Sequence, residues 1–205
     1  MTDGSDPEPV ELLRQARAGS GPALGELLEL YRSYLSLLAR VQIGQRLQGK
    51  VDAADLVQET FLEAHRHFAH FRGTVEGELV GWLRQILAGV LANIVRRFYR
   101  TRRRDVRLER TLAAELDRSS QVLEKNLVAP GSTPSQRAAR REQVILLAEA
   151  LERLPDDYRE VIILYHLEGL NFPDVARRMG RSLDSVKNLW ARGLAQLRRS
   201  LGSSL

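Results

Sequence analysis

Between Gly169 and Arg199 the chain reads GLNFPDVARRMGRSLDSVKNLWARGLAQLRR, and its helix-starting and helix-stopping residues leave few folds open. Asn171 is a good N-cap, with Asp174 three residues on and Pro173 in the first turn, where a missing N–H costs little. Val175, Ala176 and Met179 then recur at helical spacing. Gly180 suits a left-handed C-terminal stop, and Ser182 caps a second helix only two residues later. At roughly 100° per residue, Val186, Trp190, Gly193, Leu197 and Leu201 share one side of that helix. Asp184, Lys187, Asn188, Ala191, Arg192 and Arg199 share the other. A short helix, a glycine turn and a longer helix with a cationic outer face is the helix-turn-helix plan, whose second helix enters the DNA major groove. An ordinary helical hairpin with a solvated face is the plainer alternative; the tight turn and the positive face favour DNA.

Charge decides between partners. The 205 residues carry a net charge of +5, and 43% of them are hydrophobic, enough for a core in each of two small domains. The positive charge is concentrated. Residues 96 to 110 hold eight arginines against two acids, about +6, so the rest of the chain sums to about −1. Phe98 and Tyr99 interrupt the run, a pattern suited to phosphate contact with base stacking. A helix dipole accounts for one or two C-terminal arginines, hardly eight. There is no cysteine, which excludes disulfides and thiolate metal sites. The acidic N-terminus is no signal peptide, and no apolar run approaches the ~20 residues that span a bilayer, so the chain reads as soluble and cytoplasmic, with no membrane insertion.

The remaining chain reads as helices. Residues 1 to about 9 are a polar tail. A helix from Val10 breaks at Gly19-Ser20-Gly21-Pro22. The next carries Leu24, Leu27, Leu28, Tyr31, Leu35 and Leu38 on one side, up to a turn at Gln48-Gly49-Lys50. A third, capped by Asp52, runs DAADLVQETFLEAHRHF. Val57, Phe61 and Ala64 form its apolar stripe. Asp55, Gln58, Glu59 and Glu63 form an acidic, amide-bearing outer face. Phe71-Arg72-Gly73-Thr74 is a loop. A long helix from about Gly77 to Arg103 follows, with Leu79, Trp82, Leu83, Ile86, Val90, Leu91 and Ile94 inward. The fold class is all-α: a helical domain over 10–112, a flexible linker over 113–138 marked by Ser119-Ser120 and APGSTPS, and a second helical domain over 139–205 that contains the helix-turn-helix.

No catalytic constellation can be assembled, and no cofactor is implied. His65, His67 and His70 form a superficial cluster, but positions two apart point to different helix faces and no cysteine joins them, so no metal site is assigned. A nuclease would need acids clustered for metal, and here they are dispersed. A stand-alone helix-turn-helix regulator would need a dimerisation surface, whereas this chain has basic regions in both domains.

Three stretches make the chain resemble a sigma factor of bacterial RNA polymerase, of the extracytoplasmic-function type and its planctomycete variety: residues 52–73, 81–98 and 154–199. The resemblance implies that the DLVQETF helix docks on the clamp of the polymerase's largest subunit through Asp55, Gln58 and Glu59, with Phe61 in the core. It implies a loop, Phe71, Arg72, Gly73 and Thr74, that captures a flipped base of the minus-ten element, helped by Asn93, Arg96, Arg97 and Arg100. It implies a second domain that reads the minus-thirty-five element through Ser185, Lys187, Asn188 and Arg192, beside the flap of the second-largest subunit. Val186, Trp190 and Trp82 are expected in the core. Many relatives have an anti-sigma factor; this sequence does not reveal one. Two departures bear on the promoter. Leu189 stands where many relatives carry a base-reading arginine; it either touches a thymine methyl or simply flanks the core. Gly89-Val90 stands where relatives often have Arg-Asn.

Overall fold

The computed structural model describes residues 8–46, 51–98, 106–127 and 134–202, and among these every regular element is helical. The polar tail to residue 7, the turn at 48–50, Tyr99 to Asp105 with Arg100, the APGST stretch at 129–133 and the last three residues lie outside them. The chain forms two compact units, residues 1–117 and 118–205.

In the first unit, α1 (Pro9–Arg17) packs on α2 (Gly21–Leu30). Ser20 caps α2, its Oγ accepting from the Ala23 N–H at 3.3 Å. The long helix expected from Leu24 onward is divided at Tyr31 (φ −100°, ψ 3°), after which α3 (Arg32–Arg46) begins. The Tyr31 ring is wholly buried, and its hydroxyl donates to Glu76 Oε1 at 3.1 Å. A tertiary partner 45 residues away thus sits at the break. α4 (Ala53–His67) packs on α3 and on α5 (Glu76–Phe98), with a short 3₁₀ turn, Phe68–His70, closing α4.

The apolar stripe of α5, Leu79, Leu83, Leu87 and Leu91, is fully buried, each side chain stabilising the fold by about 2 kcal/mol. By length and composition alone this helix could cross a bilayer, an 18-residue window within Glu76–Arg97 having a mean hydropathy of 1.3. Arg84, Gln85 and Asn93 interrupt it, so it holds no continuous apolar run of spanning length, in keeping with the sequence expectation. Half of that window is buried, as befits the core helix of this unit.

Residues 113–127 depart from the linker expectation. They belong to α6 (Val106–Leu127), which buries Leu112, Leu116, Ser119, Ser120 and Leu123. The stripe has helical spacing, so Ser119-Ser120, a loop signal in sequence, sits inside a helix. Two ion pairs tie α6 to α5: Arg84 Nε to Asp117 at 2.7 Å, and Arg96 Nη1 to Glu109 at 3.2 Å.

In the second unit, α7 (Pro134–Glu152), α8 (Asp156–Ile162), α9 (Phe172–Met179) and α10 (Leu183–Gly202) enclose Val144, Ala148, Leu151, Val161, Val175, Val186 and Leu197. The apolar helix expected over YREVIILYHLEGL is α8 followed by a π turn, Ile163–Leu167. Gly193 lets α10 lie close on α8: a Cβ there would stand 3.2 Å from Ile162 Cδ1 and 3.2 Å from Tyr158 Cβ. Arg159 is buried at the corner between α7 and α8, donating to the Glu152 carbonyl at 2.9 Å and to Asp156.

Candidate docking and nucleic-acid surfaces

α4 builds the first surface. Asp52 Oδ1 caps it, accepting from the Ala54 N–H at 3.0 Å. Leu56, Val57, Thr60, Phe61 and Ala64 face inward, and the Arg32 guanidinium lies 4.9 Å above the Phe61 ring. That geometry leaves Asp55, Gln58 and Glu59 exposed on one side. Leu62 joins them, 44% exposed, one turn beyond Gln58 and Glu59. Sequence reasoning missed it, although the spacing 55, 58/59, 62 was readable. Glu63 differs from its neighbours: it is paired with Arg66 at 2.5 Å and lies 3.3 Å from His67.

In the loop after α4, Phe71 and Gly73 are both engaged within the fold. Phe71 is buried, stacked against Phe68 at 5.8 Å and packed on Trp82 at 4.9 Å between ring centroids, so its ring is not presented for a base. Its apolar area finds a better environment against two aromatic side chains than in water. Gly73 presents no side chain, and its carbonyl accepts from Arg17 Nη1 at 2.8 Å. A Cβ at Gly73 would fall 2.2 Å from Phe71 Cζ, so the glycine is what lets the loop fold over the ring. Gly73→Ala is expected to cost about 1–3 kcal/mol, read as a lower thermal midpoint with loss of the near-ultraviolet signal of Trp82. Arg72 and Thr74 are exposed. The Glu78 carboxylate accepts from the Thr74 N–H at 2.8 Å and the Val75 N–H at 3.3 Å, and those two bonds hold its pKa below the usual carboxylate range. Trp82, expected in the core, is half-buried and belongs to this aromatic cluster.

Near the end of α5, Asn93 and Arg97 are exposed. Arg96 is held by Glu109 and by the Asn93 side chain, and its own side chain is 17% exposed. It is thus occupied in the fold, which its place in the arginine run did not reveal.

The helix-turn-helix forms as its residues dictate. Asn171 Oδ1 accepts from the Asp174 N–H at 2.9 Å, while the Asp174 carboxylate turns to Arg177. Gly180 takes the left-handed conformation (φ 62°, ψ 34°), and Ser182 Oγ accepts from the Ser185 N–H at 3.3 Å. Arg181, in the turn, pairs with Asp157 of α8 at 2.6 Å. Lys187, Asn188 and Arg192 are exposed along α10, and Ser185 and Leu189 are half-buried. Val186 is fully buried, while Trp190 is half-buried at the edge of an aromatic group with Tyr165 and Phe172. Its Nε1–H donates to His166 Nε2 at 3.1 Å, which needs a neutral imidazole; burial lowers the His166 pKa in that direction. Among the described residues no group of three His, Cys, Asp or Glu side chains could hold a metal.

Two helical units, the second carrying a capped helix-turn-helix with a basic outer face, define a DNA-binding transcription protein. Residues 30–104 match Sigma-70 region 2, and residues 145–197 match Sigma-70, region 4. Similar proteins include the ECF RNA polymerase sigma factor BldN of Streptomyces coelicolor, 29% identical over 97% of this chain and 68% of that protein. SigE of Mycolicibacterium smegmatis is 30% identical over 88% of this chain, which spans 63% of SigE's length. SigM of Mycobacterium tuberculosis is 28% identical over 94% of this chain and 84% of that protein. The chain belongs to the sigma-70 family, as a sigma factor of the extracytoplasmic-function type, and directs promoter-specific transcription initiation.

Proposed function

We propose that the chain brings core RNA polymerase to its promoters through three surfaces. Asp55, Gln58 and Glu59 of α4 dock on the clamp of the largest subunit, with Leu62 as the apolar member of that contact. Arg72, Thr74, Asn93, Arg97 and Arg100 meet the minus-ten element. Arg96 reaches that DNA only by leaving Glu109. Ser185, Lys187, Asn188 and Arg192 read the minus-thirty-five element, with the flap of the second-largest subunit beside this domain. The observation that carries the reading is the shared exposure of Asp55, Gln58 and Glu59 on a helix whose opposite side is core.

The mechanism follows from these assignments. Alone, the chain holds DNA weakly. Docking on polymerase presents both units to one promoter, and linkage raises the effective concentration of the second contact. Flipping a base costs a few kcal/mol, offset by the loop and the arginine run. Bond-making belongs to the polymerase; this chain supplies no catalytic group and acts in the cytoplasm. An anti-sigma factor covering α4 would compete with core polymerase.

The test is transcription from fragmented host genomic DNA by bacterial core polymerase, with and without this protein. New discrete starts that share two spaced upstream elements are expected. No new starts, together with failure to co-elute with core, would return the chain to the stand-alone helix-turn-helix regulator.

A further inference from the structure

We propose that Asp184 reads a base: its carboxylate accepts a hydrogen bond from the exocyclic amine of one cytosine in the upstream promoter element. The inference rests on the promoter-reading role given above to α10.

Asp184 is the second residue of α10 and is exposed, as are Lys187, Asn188 and Arg192. The N-terminal residues of such a helix are the ones that meet base edges. A carboxylate carried in among phosphates is repelled, so on its own it weakens binding to every sequence. Only a donor on the DNA offsets that repulsion. A carboxylate is acceptor-only, and cytosine N4 is the donor that cytosine shows in the major groove. Guanine presents O6 and N7, both acceptors, and thymine presents O4, so both are rejected. Adenine offers N6–H, but its N7 acceptor stands alongside and faces the second carboxylate oxygen.

The acid's local uses are already filled. Ser182 caps the helix, accepting from the Ser185 N–H at 3.3 Å. Other acids of this unit are held by arginines: Asp157 by Arg181 at 2.6 Å, Asp174 by Arg177, and Asp156 by Arg159. Asp184 has no hydrogen-bond or ionic partner among the described residues. A favourable position near the helix N-terminus remains, but that contribution is the same on every promoter.

The experiment is selection of transcribed promoters from a library randomised across the upstream element, using core polymerase with the full chain. With the unaltered chain, one position is expected to favour cytosine by roughly tenfold or more. Asp184→Ala should flatten that position alone and leave the other preferences in place, with at most a small drop in the thermal midpoint from the lost helix-terminus charge. Asp184→Asn, which gains a donor, should move the same position toward adenine. Unchanged preferences in Asp184→Ala, with or without a lower midpoint, overturn the assignment and leave the acid a helix-dipole role. Loss of a preference for any base other than cytosine overturns it too. If the unaltered chain selects no promoters at all, the promoter-reading role falls, and the inference falls with it.

Discussion

Replacing Asp55 and Glu59 together by Ala is expected to weaken the complex with core RNA polymerase by roughly 30-fold or more, about 2 kcal/mol, while leaving the melting curve unchanged. Both side chains are exposed and sit opposite the α4 stripe of Leu56, Val57 and Phe61, so the fold does not draw on them. A charge that becomes desolvated against a partner is costly to lose, because its opposite number is left unpaired. Glu63→Ala is the control. Its carboxylate is already engaged by Arg66 on the same helix, and its loss should change affinity little. Leu62→Ala should weaken the complex without altering its salt dependence, which separates the apolar contact from the acidic one. Equal affinity of the double variant and the unaltered chain, measured by titration of labelled protein with core enzyme, would remove α4 from the interface.

What could be read from sequence was chiefly what is decided by neighbours in sequence. Asn171, Gly180 and Ser182 act on backbone groups within three or four residues, so the helix-turn-helix was legible to the residue. The same holds for the exposed face of α4, since the 3.6-residue period fixes which side chains oppose Val57 and Phe61. Less was legible where a distant partner decides. Phe71 looked available because it stands in a loop, yet Phe68 and Trp82 gather it into a cluster that no local pattern announces. Arg96 looked like one arginine of many, and Glu109 of α6 singles it out. Tyr31 fitted a continuous helical stripe, while its hydroxyl reaches Glu76 on α5 at a break in that helix. Leu183 is 39% exposed at the start of α10 while Leu189 is half-buried, although both flank the core side in projection. Promoter sequence stays illegible for a further reason. It depends on DNA geometry as well as on the side chains presented.

α6 gives the sharpest test of that lesson, because a flexible linker and a packed helix respond oppositely to the same substitution. Leu112 and Leu116 are both 0% exposed and lie one turn apart. Leu112→Ala and Leu116→Ala should each cost about 2–5 kcal/mol through lost transfer energy and the cavity left behind. Against a domain stability of roughly 5–15 kcal/mol, the double variant should leave the first unit largely unfolded near physiological temperature. Ala114→Ser, at an exposed position of the same helix, should be nearly silent. The effect should also reach function. Loosening α6 takes Glu109 from Arg96 and Asp117 from Arg84, so a single substitution mild enough to keep the fold should free Arg96 and raise binding to single-stranded DNA at low salt. Circular dichroism melting of the full chain gives the decision. A midpoint lowered in Leu116→Ala and held in Ala114→Ser establishes residues 113–127 as part of the packed fold, with Leu112→Ala, just outside the stretch, as the reference for a core position. Midpoints that do not move in any of the three return the stretch to a linker, and with it the view that Arg96 is free to meet DNA.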